Sequence, residues 1–120
     1  MAFTNAAKAT MVDALLSGTI YVSLHTATPG TDGANELSGN DYARQLTAFT
    51  AAGADGITEN TGDETFGPAD PAGWTEATYF GLWSAATDGT FHGGFALTTP
   101  RTVAAGDSAK CAAGDLTAHV

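Results

Sequence analysis

The chain reads as mainly β: an antiparallel β-sandwich, jelly-roll-like, with one short N-terminal helix. Three observations carry that reading. Runs such as Ile20-Tyr21-Val22-Ser23-Leu24-His25 alternate apolar and polar side chains with a period of two, the signature of a half-buried strand. Turn signals recur about every ten residues, from Pro29-Gly30 to Gly114-Asp115, a spacing typical of sandwiches. The 15 glycines and a charged fraction of only 14% suit many turns and surfaces that pack against other protein.

The helix is expected over residues 4–17. Thr4 or Asn5 can cap it by accepting a free backbone N–H. Phe3, Ala7, Met11 and Leu15 recur every fourth residue, flanked by Val12 and Leu16, and make one apolar face. Gly18 can adopt the left-handed conformation that ends a helix. Amphipathic helices most often pack on their own domain, so a lid over the β core is favoured over a free arm.

The first strand runs from Thr19 to His25. Ile20, Val22 and Leu24 face inward, and Tyr21, Ser23 and His25 face solvent or a partner. A loop from Thr26 to Asn40 follows, with Pro29-Gly30, Asp32-Gly33 and Ser38-Gly39 as turns. Loops of that length are usually functional or disordered. Deleting residues 27–39 is expected to leave the domain folded. A second strand is expected from Tyr42 to Phe49, with Arg44 anchoring Glu36 or Asp41.

Ile57 to Glu59 and Thr65-Phe66 read as a weak pair around Asn60-Thr61-Gly62-Asp63. Pro68, Pro71 and Gly73 exclude a regular strand between 67 and 73. Trp74 to Ala85 carries bulk on both faces, so it reads as a central strand in which Gly81 leaves room for a neighbouring ring. Thr87-Asp88-Gly89 is a tight hairpin turn. The next strand spans Thr90 to Thr98; Gly93-Gly94 marks a bulge or close approach, and Pro100 ends it. Two short strands, Ser108 to Ala112 and Leu116 to Val120, finish the chain.

At 120 residues the chain is read as a single sandwich domain, 1–120, large enough to bury a core without staples. Net charge is −9, from 13 acids against the four bases Lys8, Arg44, Arg101 and Lys110. Four scattered bases cannot displace counterions along a phosphate backbone, so direct nucleic-acid binding is not expected. An anionic membrane surface is disfavoured for the same reason. No stretch is apolar enough to span a bilayer, and Lys8 and Asp13 interrupt any signal-like N-terminus. The lone Cys111 cannot form an internal disulfide and reads as a buried, inert thiol.

Neither a catalytic nor a metal site is expected, and no cofactor. His25, His92 and His119 sit singly in separate strands, without the short spacings of zinc ligands. Cys111 lacks an activating setting for a nucleophile. Nucleophile-elbow and phosphate-loop motifs are missing from the sequence. The acid groups Asp32, Glu36, Asp41 and Asp55, Glu59, Asp63, Glu64 lack the order of a calcium loop and read as solvated loop charge. The aromatic row of residues 74–85 alternates faces and reads as core, not as a sugar platform.

Three pieces together carry a family resemblance: LSGTIYVSLHTATPGTDGANELSG followed by DYARQLTAF, then WTEATYFGLWSAATDGT, then GGFALTTPRTVAAGD with AAGDLT near the end. In this order they resemble a family of small tailed-bacteriophage virion structural proteins, variously labelled head-associated, minor tail or tail fibre. The resemblance covers the chain from near Val12 onward. It implies a virion component with a sandwich or jelly-roll body and no enzymatic activity. The first expectation is a capsid decoration or minor capsid protein that binds the major capsid protein on the outer head as a homo-oligomer. Size and acidity fit it, and many weak contacts over a symmetric shell stabilise it. The alternative is a tail-fibre or tail-tip component for host attachment, although the chain shows no heptads of a fibrous shaft. A carbohydrate-binding or hydrolytic domain ranks third. Contacts are expected from the helix, the Thr26–Asn40 loop and the Asp63–Gly73 loop; individual partner-binding residues are not assigned.

Overall fold

A computed structural model describes residues 3–53 and 56–119 of the chain. Asp55 and Val120, invoked above, therefore lie outside the described residues. The elements are α1 (Asn5–Leu16), β1 (Tyr21–His25), β2 (Gln45–Leu46), β3 (Ile57–Glu59), β4 (Glu64–Phe66), β5 (Trp74–Trp83), β6 (Phe91–Val103), β7 (Ala109–Cys111) and β8 (Thr117–His119). The protein is thus mainly β with one helix, and its antiparallel sheets form a sandwich-like body. One layer is a four-stranded sheet in the order β2-β1-β5-β6. The other consists of two ribbons, β3 with β8 and β4 with β7.

One apolar cluster fills the space between the layers. Val22, Leu24, Phe80 and Leu82 come from the large sheet, and Phe66, Cys111, Leu116 and Ala118 from the ribbons and their flanks. Phe66, Phe80, Leu24, Leu82 and Leu116 are all fully buried. Each such side chain contributes roughly 1.5–3 kcal/mol relative to exposure.

The helix matches its expected bounds within a residue, and Thr4 caps it by accepting from the Ala7 amide at 3.1 Å. Val12 is its buried anchor, and Asp13 accepts from the Ala52 amide at 2.7 Å. The helix packs beside β3 and β8, so it is a lid on its own body. Its expected apolar face is docked only near the middle: Phe3 is 45% and Leu15 40% exposed.

β5 is central, as expected, with β1 on one side and β6 on the other. A Cβ built on Gly81 would stand 2.7 Å from His25 Nε2 and 3.0 Å from the Phe91 ring, so the glycine does leave room for rings. Between β5 and β6, Asp88 and Gly89 both take positive φ, which is what a two-residue turn of this hand requires.

Four expectations are corrected. The strand from Tyr42 to Phe49 shrinks to Gln45–Leu46, paired with Val22 and Tyr21. Before it, the Tyr42 hydroxyl and the Arg44 guanidinium are pulled into side-chain bonds; after it, Phe49 bridges to Asn60 in the other layer. The segments 57–59 and 64–66 do not pair with each other. They pair with β8 and β7, because the Asn60 side chain bonds the chain at Ala112, Gly114 and Leu116. Pro100 does not end β6. It lies exposed on the edge strand of the sheet, where residues 97–100 slip out of register with β5 and no ladder amide is needed.

The fourth correction concerns β1. Ser23 and His25 do not face solvent; both are fully buried. The loop after β1 folds back over that face of the sheet. Pro29 is buried against Gly94, where a Cβ would overlap its ring, and Gly33 lies over Trp83 and Phe91. Thr26 and Leu37 amides donate to Asn35 and Leu24 carbonyls at 3.0 and 2.9 Å. Leu37 joins the core. Deleting residues 27–39 would therefore strip a face of the sheet instead of leaving the domain intact.

Candidate functional site

Beneath that loop lies a closed polar cluster. His25 Nδ1 is 2.7 Å from the Ala34 carbonyl, which only accepts, so Nδ1 carries the proton. In the neutral ring Nε2 then accepts, and Ser23 Oγ, 2.6 Å away, donates to it. Ser23 Oγ in turn accepts from Trp83 Nε1 at 2.8 Å. Burial holds the His25 pKa below the usual histidine value, against the opposing pull of the Ala34 bond.

A second group surrounds the first. Arg44 pairs with Glu36 through two bonds of 2.9 Å, Nε to Oε2 and Nη2 to Oε1. Its Nη1 donates to the carbonyls of Ala85 and Asp88 at 3.0 and 2.9 Å. The guanidinium carbon lies 3.7 Å from the centroid of the Trp83 ring. Tyr42 donates to Glu36 Oε2 at 2.8 Å and accepts from the Leu24 amide at 2.9 Å. Burial, then the Glu36 charge, push the Tyr42 pKa upward. The anchoring of Glu36 by Arg44 is the expected one.

Chemically this cluster can hold the loop, orient His25 and exclude water. A serine beside a histidine resembles a nucleophile and its base. Here the hydroxyl is fully buried, and a backbone carbonyl stands where a triad would place a carboxylate. Sequence reading missed Ser23, Tyr42 and Trp83 as partners. Only the alternation of β1 pointed at Ser23 and His25, and it pointed outward.

The other candidates do not converge. His92 is half-buried on β6, and His119 is exposed with its ring 5.3 Å from that of Phe95. Cys111 is fully buried, and burial pushes its thiol pKa up. Among the described residues no three His, Cys, Asp or Glu side chains gather as metal ligands. Asp63 instead pairs with Lys110 at 3.1 Å, which lowers its pKa, and Asp32 bonds the Ala34 amide. Trp74, Phe80 and Trp83 are core residues.

The surface offers an uncharged groove where α1 ends beside β2, with Ser17, Thr19 and Thr47 interspersed among its apolar residues. Leu16, Ile20, Leu46, Ala48 and Phe49 line a cavity of about 530 Å³ that has no charged side chain in its wall. Leu46 is 59% exposed at its rim. Such an uncharged edge on an acidic protein is suited to contact with another protein. No helix among the described residues is long and apolar enough to cross a membrane.

A search of curated proteins finds no match. A family profile described as podophage GP4 fiber I protein gp80 matches residues 2–119, and the chain belongs to this family of phage virion structural proteins.

Proposed function

We propose that the protein is a non-enzymatic virion component that works by docking on neighbouring virion proteins, and that it belongs to the fibre apparatus. The observation that carries the fibre assignment is the family description, which names a fibre protein and covers nearly the whole chain. The uncharged groove beside β2 supports docking, because it can be covered without burying a charge. The closed Ser23–His25 pair supports a role without turnover. Self-association into a cyclic homo-oligomer is part of the proposal, since most homo-oligomers close with cyclic symmetry. Cofactors, direct nucleic-acid binding and membrane binding are not part of it.

A second reading is head decoration, with the major capsid protein as partner. What supports it is the short body of 47 × 26 × 22 Å, which is compact enough for a capsomer joint and carries no elongated shaft among the described residues. Gold-labelled antibody on intact particles separates the two. Label along the fibres supports the first reading, and label over the head supports the second.

A further inference from the structure

We propose that the segment 26–41 is an acid-released cover: protonation of His25 lifts it from the sheet and uncovers the Trp83–Phe91 face. The inference is independent of where on the particle the protein sits.

The geometry has one weak point. Ser23 Oγ carries a single proton and gives it to His25 Nε2, while accepting from Trp83 Nε1. If Nε2 gains a proton, it becomes a second donor aimed at the same oxygen. The serine proton then has no partner in the cluster, inside a fully buried site. The imidazolium is also a buried charge. Glu36 is the nearby anion, but both of its oxygens already accept from Arg44, and Oε2 also from Tyr42.

The surroundings offer no other relief. From the loop, His25 faces Ala34 and Glu36, and from the approach to β2 the repelling Arg44, with Tyr42 bonded to Glu36 beside it. From β5 it faces Gly81 and its cross-strand partner Tyr79, and from β6 the ring of Phe91 at 6.3 Å. Water is the remaining partner for a charged ring, and the loop blocks it. The loop is also the part able to move. Its backbone tie to β1 is the single bridge between His25 and Glu36, made by the Thr26 and Leu37 amides, not a long ladder; its other holds include side-chain bonds, from Arg44 and Tyr42 to Glu36 and between Asn40 and the Gly73–Trp74 pair. Lifting it uncovers the indole of Trp83 and the covered side of the half-buried Phe91 ring, an apolar surface much larger than the one open at neutral pH.

Native-state hydrogen exchange on the full chain tests this, with rates normalised to the unfolded peptide. The amides of Thr26, Gly33 and Leu37 report on the cover, and those of Phe80 and Leu82 on the core. Cover protection should fall about tenfold per pH unit as pH drops below about 6.5 and should lie well below core protection at every pH, because the cover opens without global unfolding. Flat cover protection, or cover and core amides sharing one protection factor, would overturn the proposal. In His25→Gln the pH slope of the cover should vanish; a slope that survives also overturns it. Should that variant not fold, ring nitrogen shifts of His25 in the native protein decide. The proton on Nδ1 with a titration midpoint below about 6.5 is expected. The other tautomer, or a midpoint above that value, contradicts the mechanism.

Discussion

The Arg44 guanidinium carbon stands over Trp83, 3.7 Å from the ring centroid, while the same group grips Glu36 with two bonds. One side chain thereby ties the 26–41 segment, the approach to β2 and the β5–β6 turn into one unit. Its side chain is only 9% exposed and that of Glu36 20%. Truncating Arg44 to alanine leaves the half-buried Glu36 charge with Tyr42 as its remaining donor and takes the Arg44 donor from two carbonyls, so stability should drop by about 3 kcal/mol in urea unfolding. Lysine, which lacks the planar fork, should recover less than half of that.

Adjacent glycines on β6 should respond in opposite ways. Gly94 has no room for a Cβ, because Pro29 and the Phe80 carbonyl fill the space, whereas Gly93 has nothing within 4 Å. Gly94→Ala should cost about 1–3 kcal/mol. Gly93→Ala should stay within about 0.5 kcal/mol of the parent or gain slightly. Thermal unfolding of the two variants side by side checks this.

Asn60 is the knot between the ribbons. It is 1% exposed, donates to the Gly62 and Ala112 carbonyls, and accepts from the Gly114 and Leu116 amides. Asn60→Ala strips these groups of their side-chain partner, the Gly114 amide keeping its bond to the Asn60 backbone carbonyl, and should destabilise by about 2–4 kcal/mol. Asn60→Asp, which keeps the acceptor and loses the donors, should fall between alanine and the parent.

Global stability should decline on mild acidification. His25 has its folded pKa below its unfolded value, so the unfolded chain binds more protons. The stabilisation is therefore fully present above about pH 6.5 and is lost as pH falls toward the folded pKa, at up to about 1.4 kcal/mol per pH unit. Urea midpoints at about pH 7.5 and about pH 5.5 bracket the window.

Much of the architecture was legible because it is written locally. The helix bounds, the central place of Trp74 to Ala85, the turn at Asp88-Gly89 and the room at Gly81 follow from period, aromatic bulk and backbone freedom. Arg44 with Glu36 was legible because an arginine near a loop acid is a short-range choice. What failed was long-range. Nothing near Ile57 states that it pairs with His119. Nothing near Ser23 states that Pro29 and Gly33 return to cover its face. A period of two separates the faces of a strand; it does not say which face a loop will later roof. Pro100 misled because edge strands tolerate what central strands forbid.

The docking proposal has a direct genetic form. Leu46 is 59% exposed at the groove, so Leu46→Asp should leave the unfolding midpoint of the isolated protein within about 0.5 kcal/mol. The same change should lower the amount carried into particles several-fold, read by immunoblot of purified virions.

The most direct measurement is quantitative mass spectrometry of gradient-purified particles from infected cells. A virion structural protein should be present at a fixed ratio to the other particle proteins, unchanged through further purification. Its loss from particles during purification, with the chain recovered only in the soluble lysate, would contradict the structural role.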